Sequence, residues 1–372
     1  MSDTHASIAP IQPADLPLQR AYRWEKDRAN EIFLTQPMGQ GEVRDWTWAQ
    51  AMDEARRVAA WLKAQGYEPG ARIAVMSKNT AWWILSDLAI WMAGCVSVPV
   101  YPNLVAETVR QILEHSDSRL ILIGKLDDWH AMRPGIPESL PRVVTPLCEA
   151  EGGTSWEGIV QATPPLAESP TPAAETVATL VYTSGTTGRP KGAVHGFASF
   201  AYTARTVEEI IGLNADDRAL SYLPLAHVAE RCIVEGPSIR VGSRIFFAES
   251  LHTFLADLQR ARPTFFFSVP RLWVKFQQGV FAKMPAKRLE LLMAIPILGG
   301  IVKKKILKQL GLDSVRFAGT AAAPMPPEVL SWYHRLGLEL LEAYGMTEQF
   351  GTATCTRPGR GRVGYVGHAV RC

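Results

Sequence analysis

The stretch ARIAVMSKNTAWWILSDLAIWMAGCVSVPVY, from Ala71 to Tyr101, consists of a short apolar segment, a longer one and a third short one. Its ends, ARIAVMS and CVSVPVY, are predicted strands, and its middle part, AWWILSDLAIWMAG, is a predicted helix. The stretch is long enough to cross a membrane, but Asp87 lies near its centre and Gly94 and Pro99 interrupt it. A buried strand–helix–strand unit explains these residues better than a membrane span.

The same alternation continues on both sides of this stretch. Residues 47–66 and 106–117 show helical spacing, and residues 118–124 form another short apolar run. Further along, the predicted strands are TVATLVYT, ALSYLPL, SRIFFAE, PTFFFSV, SVRFAG and LELLEAYG, with helical segments between most of them. This order predicts an α/β fold of two packed subdomains, in which mainly parallel sheets are flanked by helices.

A segment rich in Pro, Gly, Ser, Thr and Glu, residues 149–175, separates the two series of strands. Such a composition is typical of a connection between subdomains. We therefore predict an N-terminal α/β subdomain with its connecting segment over residues 1–175, and a second α/β subdomain over residues 176–372.

The composition excludes several classes of function. The 372 residues carry a formal net charge of +3, which is too small to indicate a nucleic-acid partner. The five cysteines are widely spaced without a CxxC pair, which argues against a disulfide framework or a zinc site. The first residues, MSDTHASIAPIQPADLP, lack the basic start and apolar block of a signal peptide, so a cytoplasmic location is expected.

One further segment, LLMAIPILGGIVKKKILKQL (residues 291–310), combines apolar residues with a lysine cluster. Pro296 and the Gly299–Gly300 pair divide it, so its apolar part is too short to span a membrane. A pair of surface helices with a solvated basic end is one interpretation. Peripheral contact with a membrane surface is the other, and it would suit a lipid substrate.

Five polar or Gly/Pro-rich clusters come directly after predicted strands. They are TSGTTGRPKG, PLAHVAER, VPRLW, GTAAAPMPP and YGMTEQFG. Ligands of open parallel sheets bind outside the carboxyl ends of the strands. The five clusters are therefore expected to line one crevice.

The first cluster suits a polyphosphate, although it is not a P-loop. From Gly185 the chain reads GTTGRPKG, so Pro190 stands where the motif G-x-x-x-x-G-K-[ST] requires its second glycine. Gly185 and Gly188 allow backbone N–H groups to approach an anion closely. Hydroxyl donors and a positive charge come from Ser184, Thr186, Thr187 and Lys191. A flexible linker, the alternative, fits poorly between two apolar strands.

YTSGTTGRPKG, from Tyr182 to Gly192, resembles the AMP-binding signature of the adenylate-forming superfamily. EAYGMTE (residues 342–348) resembles its second nucleotide motif, and GTAAAP (residues 319–324) stands where members usually carry a Gly-Gly-Ala-Pro type of turn. SYLPLAHVAER and FFFSVPRLW are most similar to bacterial long-chain fatty acyl-CoA ligases. The resemblance extends from about Arg44 onward and makes residues 176–372 the AMP-binding subdomain.

The resemblance implies a reaction in two steps. A carboxylate attacks the α-phosphate of ATP, which gives acyl-AMP and pyrophosphate, and the thiol of coenzyme A then displaces AMP. The expected ligands are ATP or AMP, Mg²⁺, a fatty acid and coenzyme A, and the expected class is an acid–thiol ligase. The alternatives are an adenylate-forming ligase for a different carboxylate, and a non-catalytic module that binds a nucleotide or a lipid.

The resemblance also implies roles for the matched residues. Tyr344 stacks on adenine, Thr347 bonds the α-phosphate, and Glu348 holds Mg²⁺ with help from Thr183. By the same resemblance, the β- and γ-phosphates are held by Thr183, Ser184, Gly185, Thr186, Thr187, Gly188 and Lys191. The adenine edge is lined by Thr320, Ala321, Ala322, Ala323 and Pro324. Gly345 and Met346 complete the second motif. The expected catalytic residues are Lys191, His227, Thr347 and Glu348. Outside such a motif, Glu348 would be an ordinary solvated carboxylate.

His227 in PLAHVAER matches a histidine that the superfamily places near the carboxylate and the α-phosphate. It would orient and neutralise charge rather than abstract a proton, because a fatty carboxylate is already ionised at neutral pH. Arg231 stands where some relatives have an aromatic gate to the acyl tunnel, so this chain departs from that pattern. Phe267 and Trp273 are candidate walls of an acyl pocket, with an ordinary aromatic core as the alternative.

In the superfamily, a Thr-Gly-Asp motif, a hinge and a small C-terminal lid domain with a catalytic lysine come later in the chain. No Thr-Gly-Asp follows Tyr344 in this sequence. The expectation is therefore a ligase without its C-terminal lid domain, which keeps its nucleotide contacts but lacks full turnover.

Overall fold

The structure, a computed structural model, describes residues 9–183 and 189–370. The strands are β1 (Ile32–Gly39), β2 (Glu42–Thr47), β3 (Arg72–Met76), β4 (Val96–Val100), β5 (Ser118–Ile123), β6 (Arg142–Val144), β7 (Thr154–Ser155), β8 (Val177–Thr183), β9 (Lys191–Gly196), β10 (Arg218–Ser221), β11 (Arg244–Phe247), β12 (Phe265–Ser268), β13 (Phe317–Thr320), β14 (Leu340–Tyr344), β15 (Thr354–Cys355) and β16 (His368–Ala369).

The α-helices connect these strands and cover the sheets. They are α1 (Pro17–Asp27), α2 (Trp48–Ala64), α3 (Ala81–Met92), α4 (Ala106–Ser116), α5 (Trp129–Met132), α6 (Trp156–Ala162), α7 (Phe197–Ile211), α8 (Val228–Glu230), α9 (Gly236–Val241), α10 (Phe254–Ala261), α11 (Pro270–Lys283), α12 (Ala286–Ala294), α13 (Leu298–Gln309) and α14 (Pro327–Leu336).

The stretch from Ala71 to Tyr101 forms the strand–helix–strand unit that its sequence predicts. Strands β3 and β4 pair in parallel, with Ala74 opposite Val98, and α3 connects them. Every residue of α3 is buried, Asp87 included. A helix that is apolar on all sides is stable only inside a core, so this unit forms the centre of the N-terminal half.

Three sheets make up the fold. The largest has the strand order β7-β6-β5-β3-β4-β8-β9 and is parallel except for the β8–β9 pair. A second sheet has the order β10-β11-β1-β2, and a third has the order β12-β13-β14-β15-β16, in which the first three strands are parallel. The predicted α/β architecture with mainly parallel sheets is therefore present.

Strands from both halves of the chain share two of the three sheets. Strand β8 pairs with β4, and β11 pairs with β1, so each pair joins one strand before residue 175 and one after it. The boundary near residue 175 stays a prediction, and the two predicted subdomains are joined by backbone ladders rather than by side-chain contact alone.

The β1–β2 hairpin is the largest feature that the sequence patterns did not predict. Its turn contains Gly39, Gln40 and Gly41, all with positive φ (98°, 52° and 86°). Helix α2 follows directly and begins with a capping box, in which the Thr47 hydroxyl accepts from the Gln50 N–H (3.2 Å) and the Gln50 side chain accepts from the Thr47 N–H (2.9 Å). The hairpin and cap fix where the first predicted helix starts.

The segment predicted as a connection, residues 149–175, is anchored to the N-terminal core through α6 and through hydrogen bonds from Arg56 and Arg57 of α2. Trp156 begins α6, is fully buried, and donates a hydrogen bond from Nε1 to the Glu54 carboxylate at 2.7 Å. The same carboxylate accepts from Trp46 Nε1, also at 2.7 Å, and forms an ion pair with Arg44 at 3.1 Å. Only the part after α6 runs as an extended, largely exposed connection to β8.

Among the described helices, none combines the length and the apolar character that crossing a bilayer requires. Residues 286–309 form the pair of surface helices α12 and α13. Four cysteines lie in the described part of the chain, namely Cys95, Cys148, Cys232 and Cys355, and all four are free thiols.

Candidate nucleotide-binding site

The first predicted loop connects the last two strands of the seven-stranded sheet. Thr183 ends β8 and pairs across the ladder with Lys191, which begins β9 and is exposed. The five residues between them that were predicted to hold phosphate, Ser184, Gly185, Thr186, Thr187 and Gly188, lie outside the described residues. The two described ends place a threonine and a lysine opposite each other at the edge of the sheet.

The second nucleotide motif forms a closed turn at the end of β14. The carbonyl oxygen of Met346 accepts hydrogen bonds from the N–H groups of Gln349 (3.2 Å) and Gly351 (2.9 Å). A side chain at Gly345 has no room, because its Cβ would lie 2.1 Å from the carbonyl oxygen of Gly351. Tyr344, the last residue of β14, is 49% exposed. The tight turn therefore leaves an aromatic ring accessible for stacking on a base.

Strand β9 contacts this turn, which brings two predicted parts of the site together. The ring of His195 in β9 lies 4.9 Å from that of Phe350, centroid to centroid. Burial lowers the pKa of His195, while a hydrogen bond to the Thr347 backbone and the charge of Glu348 oppose the shift. Side chains alternate along a strand, so His195 shares a face of β9 with Lys191. Sequence reasoning missed His195, although its spacing of four residues from Lys191 on a strand was the available signal.

His227 caps the helical segment that follows it. Its Nδ1 accepts a hydrogen bond from the N–H of Ala229 at 3.0 Å. An acceptor Nδ1 leaves the proton of the neutral ring on Nε2. The side chain keeps some exposure, yet partial desolvation lowers its pKa below the ordinary value. His227 is therefore neutral at pH 7 and presents an Nε2–H donor.

The helical segment after His227 packs against the second nucleotide motif. Helix α8 continues through a π-helical turn (Arg231–Glu235) into α9. A Cβ on Gly351 would lie 2.7 Å from Sγ of Cys232 and 3.6 Å from Cγ2 of Val228, so only glycine permits this approach. Val228, which follows His227, therefore lies close to the turn that carries the second motif.

The predicted adenine-edge turn leaves the sheet beside the second motif. Thr320 ends β13 and pairs with Glu342 of β14, so both loops emerge at the same sheet edge. The Thr320 hydroxyl is buried and has no hydrogen-bond partner among the residues described. Ala322 has a φ of +73°, a left-handed conformation that is costly for alanine. A buried hydroxyl without a partner at this edge is available to a ligand.

Arg231 is fully buried and does not border an entrance. Its Nη1 lies 3.0 Å from Oδ2 of Asp87 and its Nε lies 3.4 Å from Oε2 of Glu235, and both carboxylates are fully buried as well. These are ion-pair distances, yet none of the guanidinium N–H groups is aligned for a hydrogen bond to a described residue. The guanidinium carbon lies 5.2 Å from the ring centroid of Phe200. Arg231 is therefore a core residue and not a gate.

An apolar cavity of about 90 Å³ lies between α7 and the parallel strands of the five-stranded sheet. Its lining includes Ile210 of α7, Ile233 of the π-helical turn and Phe267 of β12. Trp273 does not line it. That indole belongs to a separate core and donates a hydrogen bond from Nε1 to the carbonyl oxygen of Gly319 at 3.2 Å. The assignment of Phe267 and Trp273 to the wall of an acyl pocket stays a prediction.

The described residues contain no cluster of three His, Cys, Asp or Glu side chains that could hold a metal on its own. Glu348 is an exposed carboxylate beside β9, and Thr183 lies opposite Lys191. Mg²⁺ commonly takes one or two protein oxygens and completes its shell with phosphate oxygens and water. The residues present thus fit a magnesium ion that arrives with a nucleotide.

Comparison with known proteins identifies the family to which the chain belongs. The family model for AMP-binding enzymes matches residues 20–372. The chain is similar to fatty acyl-CoA synthetase A of Dictyostelium discoideum, with 28% identity over 395 residues, which cover 94% of this chain and 58% of that protein. It is also similar to long-chain-fatty-acid–CoA ligase 5 of Rattus norvegicus, with 29% identity over 378 residues, 88% of this chain and 53% of that protein. The chain thus spans little more than half the length of these relatives.

Solved structures share the fold. The anthranilate CoA ligase AuaEII, in complex with anthranoyl-AMP, superposes with a TM-score of 0.80 at 22% identity, over 97% of this chain and 66% of that one. The N-terminal domain of FACL13 from Mycobacterium tuberculosis superposes with a TM-score of 0.71 at 21% identity, over 95% of this chain and 82% of that one. These matches confirm the predicted fold class.

Proposed function

Because the chain belongs to the family of AMP-binding enzymes, we propose that it activates a fatty carboxylate with ATP and passes the acyl group to coenzyme A. A carboxylate oxygen bonds to the α-phosphorus as the bond to the β-phosphate bridge breaks and pyrophosphate leaves. The thiolate sulfur of coenzyme A then bonds to the acyl carbon, and AMP leaves. The contact of the Lys191 strand with the turn that carries Thr347 and Glu348 is the observation on which the proposal rests.

The first step has an electrostatic barrier, because a carboxylate anion must approach a polyphosphate of like charge. Lys191 contributes a cation at the start of β9, and Thr183 and Thr347 contribute hydroxyl donors. Donors fixed before the reaction stabilise developing charge without reorganisation, and each is typically worth roughly 2.7–4 kcal/mol of barrier. These groups would contribute to the binding and orientation of a triphosphate.

His227 would act on the carboxylate and the α-phosphate as a neutral hydrogen-bond donor. Its Nδ1 is engaged by the N–H of Ala229, so its Nε2–H is the group that can reach a ligand. Such a donor orients an anion and neutralises part of its charge without transferring a proton. Glu348, with Thr183, would hold Mg²⁺ together with the phosphates. When bound, the ion neutralises charge on the phosphate oxygens.

The apolar cavity would receive the acyl group. Its volume of about 90 Å³ is below the roughly 150 Å³ of an engineered apolar cavity that holds benzene. A long acyl chain would therefore need its walls to move, with Ile210 and Ile233 displaced from Phe267. This volume favours a short-chain acid as the second candidate substrate.

Pyrophosphate release with MgATP tests the proposal. The assay compares palmitate, octanoate and benzoate, and measures loss of free thiol when coenzyme A is added. Lys191→Ala should lower release at least 100-fold, whereas Lys26→Ala, which changes an exposed lysine of α1, should leave it unchanged. Equal release by Lys191→Ala and the unaltered chain would contradict the proposed role of Lys191. Nucleotide binding without release for any of the three acids would instead indicate a binding module.

A further inference from the structure

The hairpin formed by α12 and α13, here called the basic hairpin (residues 286–309), has an apolar tip that faces solvent. The exposed apolar side chains of the tip are Leu291, Ile295, Ile297, Leu298 and Ile301. Ile297 is 86% exposed and Ile301 is 59% exposed. Single exposed apolar residues are ordinary, but five within eleven consecutive positions form a patch that indicates a binding surface.

The turn at the tip is held in an unusual backbone conformation. Ile297 has a φ of +63°, which β-branched residues rarely adopt. The two helices meet closely, because a Cβ on Gly299 would lie 2.2 Å from the carbonyl oxygen of Met293. The hairpin is therefore tight, and the residue that carries the backbone strain is also its most exposed isoleucine. Strain of this kind is often associated with function.

Positive charge lies along the two helices behind this apolar tip. The cations of the basic hairpin are Lys287, Arg288, Lys303, Lys304, Lys305 and Lys308, and none of them forms an ion pair with an acidic side chain in the described part of the chain. The single acidic residue of the hairpin, Glu290, is paired with Arg335 at 3.2 Å. An apolar tip with an unneutralised basic flank matches the acyl boundary and the phosphates of an anionic lipid surface.

A cleft beside the basic hairpin is also lined by lysines and apolar side chains. It has a volume of about 630 Å³ and lies between α11 and α13. Lys275, Lys283 and Lys305 border it, and the exposed Leu251 forms part of its wall. The basic and apolar surface therefore extends beyond the hairpin to α11.

We propose that the basic hairpin docks on an anionic lipid bilayer, with Ile297 and Ile301 inserted and Lys304 and Lys308 against the headgroup phosphates. A second copy of the chain is a poorer occupant, because two such hairpins in contact would bring their lysines together. The proposal goes beyond the adenylation chemistry, since the hairpin includes none of the nucleotide-site residues. Docking would bring the chain to a source of fatty carboxylates.

Co-sedimentation of the full chain with lipid vesicles tests this proposal. Binding should be strong for vesicles of phosphatidylcholine mixed with phosphatidylglycerol, weak for phosphatidylcholine alone, and reduced by salt. Ile297→Ser combined with Ile301→Ser should weaken binding at least tenfold. Lys304→Gln combined with Lys308→Gln should weaken it by roughly fivefold for each lysine.

Two control variants separate the hairpin from general surface effects. Val105→Ser changes an apolar residue that is 69% exposed on another segment, and Lys26→Gln removes an exposed charge from α1. Both should bind vesicles like the unaltered chain. Equal binding to both vesicle types, or normal vesicle binding by the hairpin variants, would overturn the proposal. It would also be overturned if the chain did not bind vesicles and instead formed a dimer that Ile297→Ser dissociates. Retained MgATP binding by the hairpin variants would show that these variants are folded. This control does not depend on whether the chain carries out adenylation.

Discussion

Replacing Arg231 with methionine should destabilise the core strongly. The guanidinium lies 3.0 Å from Asp87 and 3.4 Å from Glu235, and all three side chains are fully buried. At an effective dielectric constant of about 20, opposite unit charges 3.0 Å apart attract by about 5.5 kcal/mol. The variant loses this attraction but keeps two desolvated carboxyl groups. Removing one partner of a buried ion pair costs about 3–5 kcal/mol, and we expect a loss in that range.

The loss of stability caused by Arg231→Met should be larger at high pH than at low pH. Burial raises the pKa of Glu235 well above its ordinary value, Arg231 opposes this shift, and the neighbouring Asp87 adds to it. Without Arg231 the folded-state pKa of Glu235 rises further. A carboxyl whose pKa is raised on folding contributes its full stability below its unfolded pKa, near 4.3, and loses it as the pH rises toward the folded value. The Arg231→Met chain should therefore be less stable at pH 8 than at pH 5.5.

Urea unfolding followed by tryptophan fluorescence at these two pH values measures both effects. Arg231→Met combined with Asp87→Asn and Glu235→Gln should recover much of the loss, because neutral side chains need no counter-ion. Arg23→Met serves as the matched control, since Arg23 pairs with Asp27 at an exposed site and should cost less than about 1 kcal/mol. A loss for Arg231→Met as small as that of the control, or one equal at both pH values, would refute the assignment of Arg231 to the core.

Three further variants test local geometry. His227→Ala should lower the free energy of unfolding by about 1 kcal/mol at pH 8, whereas His227→Asn should keep the helix cap. Burial lowers the pKa of His227, so the stability of the unaltered chain relative to His227→Asn should decline as the pH falls below about 6.5. Urea titrations at several pH values measure both effects. Ala322→Gly should raise the unfolding midpoint by an amount equivalent to roughly 0.5–1 kcal/mol, since it relieves a φ of +73°; an unchanged or lower midpoint would contradict this. Gly345→Ala should abolish MgATP binding measured by calorimetry, because its Cβ would lie 2.1 Å from the Gly351 carbonyl oxygen, while Gly300→Ala, with no atom within 4 Å, should bind normally.

The sequence patterns predicted the parts of the fold that depend on neighbouring residues. The alternation from Ala71 to Tyr101 identified a parallel unit, since a wholly apolar helix between two short apolar runs has few other arrangements. The loops that follow Thr320 and Tyr344 leave the same edge of the five-stranded sheet, because parallel strands share their carboxyl ends. Local periodicity and strand direction together sufficed for these features.

Contacts between distant parts of the chain were not predictable in the same way. The pairing of β1 with β11 joins Leu34 to Ile245, and no local pattern selects one of several available strands as the partner. Arg231 was compared with an aromatic gate, but its burial depends on Asp87, which lies on another helix. Trp273 was expected in a pocket because aromatic residues are common in both walls and cores, and only the packing distinguishes the two.

Calorimetric titration with MgATP tests whether the Lys191 strand and the turn after β14 form one nucleotide site. We expect one site per chain, which is weakened by Lys191→Ala through lost phosphate contact and by Tyr344→Ala through lost base stacking, and which is left intact by Lys26→Ala. Two independent sites, or a single site that only one of the two variants weakens, would contradict this expectation.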